Sequence, residues 1–156
     1  MARKKLISLI IYLATITTIL AALRPYLTPH MLWASGTYYL MLGGLLFRCT
    51  RGLHICLMSI AMLADLSLVL LLQFQRNAIE TAVSFTLSPL QQAHVGASTI
   101  ALLLYFPTLY YGIRRARSRD FSLEERQRHL RYGLTAFFFR TLGFLLMFSL
   151  VKSSAS

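Results

Sequence analysis

The sequence predicts an all-α integral membrane protein, a bundle of five transmembrane helices with its N-terminus in the cytoplasm and its C-terminus outside. Three observations carry that expectation. The 156 residues are 56% hydrophobic and only 13% charged, too apolar for a soluble domain of this size. The apolar residues gather in runs that approach or exceed ~18 residues, about the length at which a helix crosses a bilayer. The basic residues flank those runs, so a formal charge of +11 reads first as a topological signal and an attraction to anionic lipid. Nucleic acid is not an expected partner.

The first run, residues 6–23, follows the basic start Arg3-Lys4-Lys5 and continues through Ala21-Ala22-Leu23 into Arg24-Pro25. A cleaved secretory signal has a shorter apolar core and a small-x-small cleavage site, so this run reads as a retained helix. Pro25 and Pro29 punctuate the first connection, and His30 opens the second segment, residues 31–47. Within it Gly36 and Gly43 lie seven apart on one face, which permits close helix approach in a membrane.

After a basic turn at residues 48–52 comes the third segment, residues 53–73, with His54 at its start and Asp65 near its middle. Residues 74–93 hold Arg76 and Glu80 among apolar residues at helical spacing. They read either as a helix along the interface or as an extension of the third helix. His94 opens the fourth segment, residues 94–112, in which Pro107 marks a kink. Residues 113–132 read as a charged loop, where Ser122 and Glu125 make a capping box that starts a short helix carrying His129 toward the membrane. The fifth segment, residues 133–151, contains Arg140. With neither an internal repeat nor a low-complexity linker, residues 1–156 read as one polytopic domain of a bacterial inner (cytoplasmic) membrane.

The basic residues test this division. Five spans place 12 of the 16 Lys and Arg residues on one side and 3 on the other, with Arg140 inside the membrane. Without the second span the split falls to 10 against 5. The cytoplasmic side takes the excess.

That topology sorts the four histidines into two layers, His30 and His94 at the outer face, His54 and His129 at the cytoplasmic face. A haem b with two axial imidazoles needs two such residues on neighbouring helices at one depth, and copper suits the same ligands. Glu80 on the outer side joins His30 and His94 as a candidate metal set. The plain alternative is that all four are interfacial side chains at helix ends. Asp65 follows His54 by eleven residues, and Arg140 follows His129 by eleven. Three helical turns put each pair on one face, roughly 16 Å apart.

Asp65 and Arg140 read as an intramembrane ion pair, because the bilayer penalises each charge alone by a few kcal/mol. Alternatively, Arg140 grips an anion such as a haem propionate, or Asp65 belongs to a proton or cation path. Cys49 and Cys56 fit no common zinc or redox spacing and read as small side chains, with a copper or haem contact involving His54 as the alternative. No nucleotide loop, serine-histidine triad, zinc-protease motif or pair of catalytic carboxylates is present, which favours a non-enzymatic role.

Leu53-His54 with Leu57-Met58 and Ala61, Ala93-His94 ahead of a proline-bearing helix, and Arg126-x-Arg128-His129 together resemble the YozB/CtaM-like family of short bacterial membrane proteins, a domain of unknown function. The resemblance spans about residues 27–150. It implies some five helices, with His54, His94 and His129 as the family's histidines, and a part in maturing a haem-copper terminal oxidase. Asp65 and Arg140 match no motif of that family. The resulting expectation is an assembly or maturation factor for a respiratory oxidase, handling haem or copper, with the bilayer and that complex as partners. A small bis-histidine b-type cytochrome and a transporter or proton-path protein built on Asp65 and Arg140 are the alternatives.

Overall fold

A computed structural model describes residues 2–76, 80, 88–117 and 122–148. Among the described residues the long elements are all α-helices: α1 (Ala2–Leu23), α2 (Pro29–Leu46), α3 (Arg51–Arg76), α4 (Pro89–Arg117) and α5 (Leu123–Met147). Among the described residues three helices are long and apolar enough to cross a membrane: α1 over Leu6–Leu23, α3 over Arg51–Gln75, and α4 over Pro89–Arg117. Helix α2 is diluted by Ser35, Thr37, Tyr38 and Tyr39, and α5 by its arginine-rich first turns and Arg140. The chain is a helical protein of membrane type.

Two compact units divide the chain, residues 1–68 and 69–156, with the boundary inside α3. In the first unit, Pro29 occupies the opening turn of α2, and the Thr28 hydroxyl accepts from the Met31 amide at 3.3 Å. That cap satisfies one of the helix's orphan donors. The Gly36–Gly43 face turns to α1, as its spacing predicts. A Cβ on Gly43 would lie 2.6 Å from the Tyr12 ring, and one on Gly36 would sit 3.8 Å from Leu20. Tyr12 also donates its hydroxyl to the Tyr39 carbonyl. Toward α3, Trp33 Nε1 donates to the Ala64 carbonyl at 3.1 Å, while Gly44 faces Met58. As α2 ascends in number its α3 partners descend, so the two run antiparallel.

In the second unit α4 and α5 form an antiparallel hairpin, from Gly143 against Ser98 at one end to Arg114 against Glu125 at the other. The capping box at Ser122 is present in both halves, each bond 3.1 Å long. The helix expected from Ser122 is present, but it is not a short separate one: α5 runs unbroken from Leu123 through residue 133, and α4 continues past residue 112 to Arg117. Arg, Glu and Gln are good helix formers, and nothing between Ser122 and Gly133 breaks the turn. A membrane boundary therefore need not be a helix boundary.

Helix α3 likewise extends past residue 73 to Arg76, and α4 begins at Pro89 ahead of His94. Most of the stretch between them, and the expected end of the fifth segment at 149–151, lie outside the described residues. Pro107 sits inside α4 without ending it, and one residue on, the Thr108 hydroxyl donates to the Leu104 carbonyl at 2.7 Å.

Candidate functional site

Three histidines do the same thing. His54 Nδ1 lies 2.8 Å from the Gly44 carbonyl, His94 Nδ1 2.7 Å from that of Gly143, and His129 Nδ1 3.2 Å from that of Thr108. In each case the carbonyl belongs to a neighbouring helix of the same unit. A carbonyl only accepts, so each Nδ1 carries the hydrogen, and the neutral ring has Nε2 as its acceptor nitrogen. A backbone carbonyl on Nδ1–H also sets the tautomer and orientation of an imidazole that ligates iron or copper through Nε2.

Each junction is opened by a missing side chain. A Cβ on Gly44 would meet Met58 Sδ at 2.6 Å, and one on Gly143 would meet Ser98 Oγ at 2.6 Å. Ser98 stands one turn beyond His94, so α4 presses Gly143 with two successive residues of one face. On the same helix Gly112 stands one turn beyond Thr108, and a Cβ there would lie 3.3 Å from His129 Cε1. Small residues let backbones approach closely enough for a ring to reach a carbonyl.

Within each unit the histidines mark opposite ends. His30 opens α2 and His54 meets Gly44 fourteen residues further along it. His94 lies in α4 and His129 meets Thr108, again fourteen residues along. Fourteen residues of helix rise roughly 21 Å, so each unit carries one histidine toward either end. His30 is half-buried and Glu80 exposed. Cys49 and Cys56 are free and exposed, and among the described residues no group of three or more His, Cys, Asp or Glu side chains could hold a metal ion.

Asp65 and Arg140 are both interior, 6% and 5% exposed. Asp65 belongs to the first unit and Arg140 to the second. In the first unit the Thr37 hydroxyl, itself 2% exposed, lies 2.7 Å from Asp65 Oδ1 and 2.9 Å from the Ala34 carbonyl. A carboxylate in an apolar setting is stabilised by such a donor, since a charge-assisted hydrogen bond is roughly twice as strong as a neutral one. The sequence reading missed Thr37, although its position among small residues of α2 marks an interface. It also missed Gly44, Gly112 and Gly143 as the openings for the rings.

The arginine-rich end of the hairpin is organised by tyrosines and glutamates. Arg114 pairs with Glu125 at 2.6 Å, and Arg128 donates to the Tyr111 hydroxyl at 3.3 Å and to Glu124. Tyr111 stacks on Tyr132 with centroids 5.9 Å apart and planes 9° off parallel. Tyr111 and Glu124 hold the Arg128 guanidinium above its ordinary range, so it stays charged at every physiological pH. Compared with family models, with curated proteins and with solved structures, the chain matches none.

Proposed function

We propose that the chain is a non-enzymatic multi-pass protein of a bacterial cytoplasmic membrane that serves the maturation of a haem-copper respiratory oxidase. Its cargo is haem b or copper, taken by histidine Nε2 nitrogens. The observation that carries the cargo reading is the shared posture of His54, His94 and His129, each with Nδ1–H held by a backbone carbonyl. That posture fits the donor chemistry of both cargoes, for which neutral imidazole is a competent ligand. The oxidase as beneficiary rests on the resemblance to the YozB/CtaM-like family, which runs through the same three residues.

Full-length protein in micelles, offered ferric haem or Cu(I) separately, tests this by absorption spectrum and copper content. Wild type should retain one cargo, and alanine at a histidine of the layer that holds it, His54 or His129 on the cytoplasmic side or His94 on the outer side, should lower retention by about tenfold or more, with the other layer unaffected. Retention unchanged in all three variants would sink the cargo reading. Uptake of neither cargo by wild type would do the same. Haem already present in the isolated protein, with paired Soret and α bands, would favour the cytochrome alternative.

Five spans with a cytoplasmic N-terminus belong to the same proposal, supported by the 12-to-3 division of basic residues. In a chain lacking Cys49 and Cys56, a cysteine replacing exposed Tyr26 should react with an impermeant maleimide on sealed cells. One replacing Gln127 should react only after permeabilisation. Labelling at Gln127 in sealed cells removes this topology.

A further inference from the structure

The α4–α5 hairpin contains a cleft of about 380 Å³ lined by Leu104, Arg128, Arg131, Tyr132 and Thr135. On α5 the four lining residues recur at i, i+3, i+4 and i+7, one continuous helix face. Both arginines stand at the basic end of that face, and Thr135 lies a turn deeper along the helix toward its apolar half. From α4 the opposite wall is Leu104, flanked by Leu103 and Phe106, which are 62% and 66% exposed. Exposed large apolar side chains on a helix of spanning length are suited to acyl chains.

The polar end is asymmetric. Arg128 is held in place by Tyr111 and Glu124, and Tyr111 is itself stacked on Tyr132. Among the described residues the acidic side chains of this end, Glu124 and Glu125, are engaged by Arg128 and Arg114. Arg131 is exposed on the same face, one turn nearer the apolar half. A guanidinium pair above an apolar wall matches an anionic headgroup attached to a hydrocarbon chain.

We propose that this cleft binds the phosphate of an anionic phospholipid, with Arg128 and Arg131 on the headgroup and an acyl chain against Leu104 and Thr135. The site is independent of the cargo reading and uses none of its histidines. A soluble phosphate would meet the same arginines but gain nothing from Leu104, which is why a lipid is the occupant.

The test is native mass spectrometry of the full-length protein released from micelles containing phosphatidylglycerol and phosphatidylcholine in equal amounts. Wild type should retain phosphatidylglycerol preferentially. Each lost lining arginine should cost about fivefold in retention, so Arg128→Gln with Arg131→Gln together should cost about 25-fold. Arg126→Gln removes the same charge from α5 outside the cleft and should change retention little.

Thr135→Phe fills the cleft at an exposed position without altering charge, and should lower retention even if the double arginine variant does not fold. Equal losses for Arg126→Gln and Arg131→Gln would reduce the effect to general surface charge and overturn the site. No preference over phosphatidylcholine would overturn it, as would full displacement of the lipid by millimolar inorganic phosphate.

Discussion

Gly143→Ala should lower the unfolding free energy of the full-length protein in micelles by about 2–3 kcal/mol, at the upper end of what overpacking costs. The added Cβ would lie 2.6 Å from Ser98 Oγ and 3.4 Å from the Ser98 backbone nitrogen. Either Ser98 turns its hydroxyl into another χ1 rotamer, at the loss of its present packing, or α4 and α5 separate. Separation also lengthens the His94 bond to the Gly143 carbonyl, now 2.7 Å. An interhelical bond of this kind contributes about 0.6 kcal/mol on average in a membrane.

Ser98→Ala alone should be close to neutral, and in the double variant it should restore most of the loss, because the remaining contacts are ordinary van der Waals distances. Gly44→Ala provides the contrast. Its Cβ would also approach a neighbour to 2.6 Å, but the atoms it meets, the Met58 sulfur and, at 2.8 Å, Cγ, belong to a long unbranched side chain. The thioether is flexible and can move, so the cost should stay near 1 kcal/mol or below. Gly96→Ala, with nothing within 4 Å, should be neutral or slightly stabilising. Equal effects at Gly143 and Gly96 would show that the hairpin is not set by this close approach.

Thr37→Val should cost about 1–3 kcal/mol, since valine keeps the shape and removes the donor that faces a buried carboxylate. Asp65→Leu removes the acceptor as well. In a double-mutant cycle the two changes together should therefore cost clearly less than their sum. Strict additivity would mean that the 2.7 Å hydroxyl–carboxylate contact carries no energy. The sequence expectation that Asp65 and Arg140 act as one ion pair has its own test in the same series. If the two are coupled, Arg140→Gln should cost less in the Asp65→Leu background than in wild type, because the charge it would neutralise is already gone. An equal cost in both backgrounds would end the ion-pair reading.

The segments were legible because length and apolarity are properties of a run of residues, independent of what it packs against. Thus residues 6–23, 31–47 and 53–73 each fall within or nearly match a helix, and the Ser122 cap was readable from the serine and glutamate three apart. The Gly36–Gly43 face was readable for the same reason, since one helix's period places both residues. Within 113–132 the helix begun at Ser122 was legible, but the preceding helix runs on to Arg117, because charge density marks where a chain leaves the apolar phase, whereas helix continuity depends on propensity and caps.

The sequence by itself determined a helical membrane-type chain, its approximate segments, its cap, and which ionisable residues were the candidates for chemistry. Tertiary structure alone decided what those residues meet. That His54, His94 and His129 would each donate to a backbone carbonyl could not be read, because every residue offers a carbonyl and none marks itself as an acceptor. Nor could Thr37 be singled out as the donor to Asp65, since that requires knowing which face of α2 meets α3. The physical reason is common to both. Periodicity is encoded locally along one helix, while a hydrogen bond between helices depends on register, depth and the close approach that Gly44 and Gly143 permit.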